Sequence, residues 1–174
     1  MEIILHRRNT IDQLISTPNN YGVEIDIRSF KDELIIQHDP FLKGENFKNW
    51  IKFYNHGTLI LNIKEEGLEQ KILMILKENN INSFFFLDQS IPMVLDTIRK
   101  GENRIALRVS EYESFENVIK LKENIKWIWI DMFTEFPLSL EEYKELKKTK
   151  LKLCLVSPEL QLLNNQKISN LKKY

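Results

Sequence analysis

Cysteine and glycine are scarce in this sequence, and neither sign of charge is in excess. Cys154 is the only cysteine among 174 residues, which excludes an internal disulfide. The five glycines form neither of the two common Gly-rich phosphate loops. Lys+Arg and Asp+Glu both number 25, so the net charge is zero, whereas a polyanion-binding surface needs a basic excess. We therefore expect no nucleic-acid partner, and any phosphate recognition should be local.

Long apolar runs are absent as well. No stretch of 18 or more apolar residues occurs, so the sequence predicts no membrane span. The chain opens directly into a predicted strand at residues 2–5, without the pattern of a signal peptide. Together with the single cysteine, these features lead us to expect a cytoplasmic protein.

Short apolar runs, by contrast, recur along the whole chain. Hydrophobic residues make up 43% of the sequence, enough for one core, so we expect a single domain over residues 1–174. Most of these runs are continuous rather than alternating, as in parallel strands that helices cover on both faces. Strands are predicted at residues 2–5, 22–28, 59–63, 84–87, 104–109, 127–131 and 151–156.

Seven such units predict an α/β fold, namely a shortened (β/α) TIM-type barrel with its eighth strand missing. Residues 34–38 form an extra strand, antiparallel or at the rim, and helices are predicted over 44–55, 67–80, 90–100, 112–123 and 139–149. A last helical stretch is expected to end at Tyr174. An open parallel edge favours association, so a homo-oligomer through that edge is our hypothesis.

The stretch Gly22–Pro40 carries the densest functional signal. Apolar and charged residues alternate from Val23 to Arg28, which places Glu24 and Asp26 on one face of a strand. Two carboxylates at this spacing lie roughly 6–7 Å apart. They indicate either an ordinary solvated face or a site for a hard cation such as Mg²⁺ or Ca²⁺.

Two of the three histidines follow short apolar strands. His6 follows the first strand, and His38 follows the apolar run 34–36. A histidine at the end of a strand has its backbone anchored while its ring reaches a cleft, an arrangement suited to proton transfer. His56 precedes Gly57 at the end of a predicted helix, and we interpret it as structural.

In order and spacing, these pieces resemble the glycerophosphodiester phosphodiesterases, a family within the phosphatidylinositol-phospholipase-C-like phosphodiesterases. The family pattern is a strand ending in His-Arg, a G-x-E-x-D strand, and an apolar strand ending in His-Asp. The corresponding residues here are His6-Arg7, Gly22-Val23-Glu24-Ile25-Asp26 and His38-Asp39. The resemblance covers the chain up to about residue 65, and beyond that only the rhythm of strands and helices matches.

The resemblance implies roles for individual residues. His6 and His38 are the acid/base pair, and Glu24 and Asp26 are ligands of a divalent cation. Asn62 stands where many members have Glu, so it is an uncharged third ligand and the ion should bind more weakly. Arg8 stands where glycine is common. The family also implies attack on phosphorus by a neighbouring substrate hydroxyl or by water.

The chemistry of phosphodiester cleavage fits these residue types. It needs a base for the attacking oxygen, an acid for the leaving alkoxide, and positive charge for the phosphoryl oxygens. Arg7 and Lys64, beside the expected cation, are our candidates for phosphate binding. Asp39 beside His38 favours the acid role for that histidine.

In a (β/α) barrel the site lies at the carboxyl ends of the strands. Further polar residues are predicted at those ends, with an equally good interpretation as solubilising loop residues: Asp39, Asp88, Arg108, Asp131 and Glu159.

The leading hypothesis is a metal-dependent phosphodiester hydrolase with a small glycerophosphodiester-like substrate. Two alternatives remain open from the sequence. One is a phospholipase-type lyase that forms a cyclic phosphate. The other is a non-catalytic barrel that binds a phosphorylated ligand, which the missing strand and Asn62 favour and the two histidines oppose.

Overall fold

The computed structural model describes residues 1–161 and divides the chain into two units, Met1–Lys100 and a second unit that starts at Gly101. The first unit holds these strands and helices: β1 (Ile4–Leu5), α1 (Ile11–Ile15), β2 (Gly22–Phe30), β3 (Glu33–Ile36), β4 (Glu45–Asn46), α2 (Phe47–Trp50), β5 (Leu59–Ile63), α3 (Glu69–Glu78), β6 (Phe84–Leu87) and α4 (Ile91–Arg99). The second unit holds β7 (Ala106–Val109), α5 (Phe115–Leu121), β8 (Trp127–Ile130), α6 (Leu140–Leu146) and β9 (Lys152–Leu155).

The sheet of the first unit is built around β2. Strands β1 and β5 pair with β2 in parallel, and β6 continues the parallel order beyond β5. Strand β3 returns antiparallel along the second half of β2, and β4 adds to its far side. In the second unit β7, β8 and β9 form a parallel sheet in that order. All seven predicted parallel strands and the extra antiparallel strand are therefore confirmed.

Within residues 1–161 the strand pairs do not form the closed ring of a TIM-type barrel. They form two sheets, one in each unit. Strand β9 is largely exposed, with Leu153 and Leu155 open to solvent, as is typical of a strand at the margin of a sheet. The single domain predicted over 1–174 stays a prediction. The predicted final helix lies outside the described residues.

Both faces of β2 are buried, which explains its pattern. Its odd-numbered residues Val23, Ile25 and Ile27 pack in a core with apolar residues of β5, β6 and α3. Its even-numbered residues Glu24 and Asp26 are 1% and 0% exposed. The alternation of β2 is therefore not that of a solvated face.

The structure corrects the helix predicted over residues 44–55. A Cβ on Gly44 would lie 2.2 Å from the carbonyl oxygen of Ile36, and the next two residues pair with β3 as strand β4. The helix α2 begins only after Asn46, whose side chain caps it, and continues as a 3₁₀ turn at Ile51–Phe53. Close contact with β3 draws this segment into the sheet and shortens the helix. At α6, Ser139 and Glu142 form a capping box.

No helix among residues 1–161 is long and apolar enough to cross a membrane.

Two phenylalanines six residues apart allow a matched test of this core. Phe47 on α2 is fully buried, whereas Phe41 is 99% exposed. Replacement of Phe47 by Ala should lower the free energy of unfolding by about 3–5 kcal/mol, since it leaves a cavity. Phe41→Ala should change it by less than about 0.5 kcal/mol. Urea denaturation of both variants checks this, and equal losses would contradict the core placement.

Candidate active site

The end of β1 is fastened to a carboxylate of β2. The backbone N–H of Arg7 donates to Glu24 Oε2 at 2.7 Å, and the N–H of Arg8 donates to the carbonyl oxygen of Glu24 at 2.8 Å. This places His6 Nε2 3.7 Å from Glu24 Oε2. Arg7 adopts a left-handed backbone with φ of 53°, which is uncommon outside glycine and is often found at functional sites.

Asp26 is surrounded by donors and cations from two segments, the loop after β1 and the end of β5. Asn9 Nδ2 donates to its Oδ2 at 2.8 Å, and the Asn9 Oδ1 accepts the backbone N–H of Asp26. The Arg7 Nε lies 3.8 Å from Oδ2 and the Lys64 Nζ 3.5 Å from Oδ1. The positive charges that surround this fully buried carboxylate offset the cost of its burial.

Asn9 was not predicted as a site residue. Its position is fixed by the start of α1, where Thr10 and Gln13 form a capping box directly after it. That capping signal marks the start of α1, so Asn9 is the last loop residue between β1 and the helix cap.

The strand β5 brings Asn62 and Lys64 to the same carboxylates. Asn62 pairs with Asp26 in the parallel register, and its Nδ2 donates to Glu24 Oε1 at 2.9 Å. Just beyond β5, Lys64 Nζ lies between Asp26 and Asp88, 3.6 Å from Asp88 Oδ2. Asp88 follows β6 with φ of 62°, a second left-handed residue at a strand end.

His38 follows β3 in a loop that is held against β2. The backbone N–H of Gln37 donates to the carbonyl oxygen of Asp26 at 2.9 Å. The His38 Nδ1 lies 2.8 Å from Asp39 Oδ1. This contact orients the ring, and Nε2 is the ring nitrogen that does not bond to Asp39. The side chain of His38 is 39% exposed.

An open cavity of about 560 Å³ lies over this part of the first unit. Basic and polar side chains dominate its lining, among them Arg7, Asn9, His38 and Lys43. A cavity of about 670 Å³ in the second unit is lined instead by mixed Lys and Glu side chains of the predicted helices. Of the two predicted acid/base residues, His38 lies in the wall of the first cavity.

Burial shifts the protonation of two groups in the site. Burial, reinforced by the charge of Asp26, raises the pKa of Glu24 to about 7. Burial and the neighbouring Arg7 lower the pKa of His6, which keeps its ring neutral at pH 7. At neutral pH the first unit therefore offers an uncharged imidazole beside a carboxyl group that is poised to titrate.

The oxygen donors fit a hard divalent cation. Asp26 Oδ1 and Asn62 Oδ1 are both buried, and neither accepts a hydrogen bond. They belong to register partners on adjacent parallel strands. Carboxylate and amide oxygens are the usual ligands of Mg²⁺ and Ca²⁺. Within residues 1–161, however, no three His, Cys, Asp or Glu side chains are grouped for a metal, so an amide oxygen must complete any such set.

The predicted site residues of the first unit thus come together. His6, Arg7, Asn62 and Lys64 contact the carboxylates of β2, and Asp39 contacts His38.

The remaining predicted rim residues belong to the second unit. Arg108 Nη1 donates to the buried Asp131 Oδ2 at 2.6 Å, and Arg108 Nε lies 3.7 Å from Glu113. Glu159 accepts a hydrogen bond from Ser157. Their membership of the same rim stays a prediction.

No protein-family model and no curated protein matches this sequence. Solved structures do. One is a protein from Agrobacterium tumefaciens assigned as a glycerophosphoryl diester phosphodiesterase, with a TM-score of 0.64 and 13% identity over 89% of this chain and 84% of that chain. Another, from Galdieria sulphuraria and assigned as a glycerophosphodiester phosphodiesterase, has a TM-score of 0.50 and 13% identity over 99% and 98% of the two chains.

At 13% identity this likeness shows the fold alone; the neighbours imply a TIM-like fold, although the strand pairs within residues 1–161 close no barrel. The proteins that share the fold carry the name of the family that the His-Arg, Glu-x-Asp and His-Asp motifs resemble. The resemblance predicted from the sequence is therefore confirmed at the level of the fold.

The raised pKa of Glu24 predicts a pH-dependent cost in stability. Since the folded-state pKa is about 7 and the ordinary value 4.5, the protonated group favours the fold fully below pH 4.5, and this contribution is lost as pH rises to 7. Relative to Glu24→Gln, the wild type should therefore lose on the order of 3 kcal/mol between pH 4 and 8.

Urea denaturation across this pH range in EDTA checks the difference. The exposed Glu78, changed to Gln, is the matched control and should track the wild type. A stability difference between Glu24→Gln and wild type that is constant with pH would contradict the assignment.

Proposed function

We propose that this protein is a metal-dependent phosphodiester hydrolase that acts on a small glycerophosphodiester-like substrate by two-histidine acid/base catalysis. One observation carries the proposal: the buried carboxylates Glu24 and Asp26 are contacted by the loop of His6 and by Lys64, while the loop of His38 is bonded to the same strand. The fold shared with proteins assigned as glycerophosphodiester phosphodiesterases supports it.

Substrate phosphate would bind beside Arg7 and Lys64. Both cations are partly exposed, at 49% and 19% of their side chains, while their charged ends lie within 4 Å of Asp26. The carboxylate keeps them in place, and the exposed part of each remains accessible to a ligand. Fixed positive charge at this point stabilises the charge that grows on the phosphoryl oxygens in the transition state.

The two histidines would divide the proton transfers. One takes a proton from the attacking water as its oxygen bonds to phosphorus. The other gives a proton to the alcohol oxygen as the old P–O bond breaks, so the products are a phosphomonoester and an alcohol. The contact of His38 Nδ1 with Asp39 supports the acid role for His38, because it orients Nε2 for donation. The neutral ring of His6 agrees with the base role.

Glu24, Asp26 and Asn62 would hold the divalent cation. When bound, the ion supplies positive charge for the phosphoryl oxygens. Two features of the chain reduce the affinity that we expect for it. Asn62 contributes no charge, and Lys64 already lies 3.5 Å from Asp26 Oδ1. We therefore propose a weakly bound Mg²⁺ or Ca²⁺.

An assay on glycerophosphodiesters with different head alcohols tests the activity itself. Product analysis by ³¹P NMR distinguishes the hydrolase, which releases a phosphomonoester, from the lyase, which leaves a cyclic phosphate. Phosphate-ligand binding without turnover in any divalent cation would instead favour the non-catalytic alternative.

The cytoplasmic location and the homo-oligomer stay predictions.

Calorimetric titration tests the cation site. Wild type should bind Mg²⁺ or Ca²⁺, and the double variant Glu24→Gln with Asp26→Asn should lose detectable binding, because both charged ligands are gone. The exposed Glu65 follows Lys64, and Glu65→Gln is the matched control that should bind like wild type. Unchanged affinity in the double variant would place the ion elsewhere.

Kinetics of single-histidine variants test the acid/base pair. His6→Ala and His38→Ala should each lower turnover of an alkyl diester by about 10²–10⁴. The two losses should be far from additive, and wild-type turnover should follow a bell in pH. A nitrophenyl diester needs no acid, so it should rescue the acid variant alone.

His56 provides the control for these variants, since its ring bonds to the Thr17 carbonyl oxygen and has no proposed catalytic part. His56→Ala should retain wild-type turnover. Full activity of both His6→Ala and His38→Ala on an alkyl diester would rule out the mechanism.

A further inference from the structure

Arg28 lies on β2 two residues after Asp26 and bridges two other segments of the site. Its Nε donates to the carbonyl oxygen of His38 at 3.0 Å. Its Nη1 donates to the carbonyl oxygen of Lys64, also at 3.0 Å. One half-buried guanidinium therefore joins the backbone of a residue after β3 to that of a residue after β5.

The two carbonyls belong to residues that the proposed mechanism uses. His38 is an acid/base candidate and Lys64 a phosphate-binding candidate, and they are 26 positions apart in the sequence. The amide of Lys64 is already fixed on the carbonyl oxygen of Ile27 at 3.0 Å. Arg28 gives the backbone of Lys64 a second hydrogen bond to β2, and it also bonds the backbone of His38 to the same strand.

We propose that Arg28 is a positioning residue that sets the separation between His38 and Lys64, an inference that rests on the proposed function. The guanidinium is planar and presents its donors in a rigid fork, so two acceptors bound to it are held at a fixed spacing. Its partners are backbone carbonyls, which leaves the imidazole and the ammonium group themselves available to substrate.

The chain offers a matched control for simple tethering. The next residue, Ser29, donates its N–H and its Oγ–H to the carboxylate of Glu65 at 2.9 and 2.6 Å. This link joins the ends of β2 and β5 one residue further along, and it makes no contact with His38. Glu65→Ala removes both of these bonds, so it measures what the loss of a tether alone does.

Kinetics in two backgrounds separate positioning from stability. Arg28→Met should lower kcat on an alkyl diester by about 10–100-fold, the usual effect of a displaced catalytic group. In the His38→Ala background the same change should cost less than about threefold, because His38 is already gone and Lys64 keeps its anchor on Ile27. Arg28→Lys, which keeps the charge but not the fork, should lose kcat as well, whereas Glu65→Ala should retain it.

A substrate-free measurement keeps this inference distinct from the proposed function. The protein has three histidines, so imidazole ¹⁵N NMR resolves few signals. Arg28→Met should shift or broaden the His38 signals and leave those of His56 in place. If wild type cleaves no phosphodiester but the His38 signals move, the proposed function fails and the positioning role stands.

Two results would overturn the inference. One is an equal fold-loss of kcat when Arg28→Met is introduced into the wild type and into His38→Ala. The other is a set of His38 signals that does not change in Arg28→Met.

Discussion

The burial of two carboxylates side by side on β2 is the constraint on which the first unit depends. Glu24 and Asp26 are almost completely removed from water, and a buried carboxylate without partners costs several kcal/mol. The partners come from two segments: the loop after β1, with the N–H and guanidinium of Arg7 and the amide of Asn9, and the end of β5, with Asn62 and Lys64. Loops that are distant in sequence are thereby fixed on one strand.

The same constraint gives the site its chemical character. Compensation of the two carboxylates is unequal, since Asp26 has two nearby cations while Glu24 relies on hydrogen bonds from neutral donors and on the ring of His6. Burial, reinforced by the charge of Asp26, raises the pKa of Glu24 to about 7. One oxygen each on Asp26 and Asn62 accepts no hydrogen bond, which is the property a cation site needs.

Backbone strain occurs at two strand ends in the site. Arg7, just after β1, and Asp88, just after β6, are non-glycine residues with positive φ. Such conformations cost on the order of 1–3 kcal/mol each and persist where surrounding contacts over-determine them. At Arg7 this contact is the hydrogen bond from its backbone N–H to Glu24 Oε2. The strained backbone conformation is therefore coupled to the Glu24 carboxylate.

The sequence by itself determined the order of strands and the residues that meet at β2, because apolar periodicity and strand-end histidines are local properties of the chain. It could not show that the charged face of β2 is buried, nor that residues 45–46 pair with β3 beside the close contact of Gly44. It also gave no role to Asn9 or Arg28, whose hydrogen-bond partners lie 10 to 36 residues away. Only the tertiary structure decided these points, because the register of adjacent strands sets which distant polar groups become neighbours.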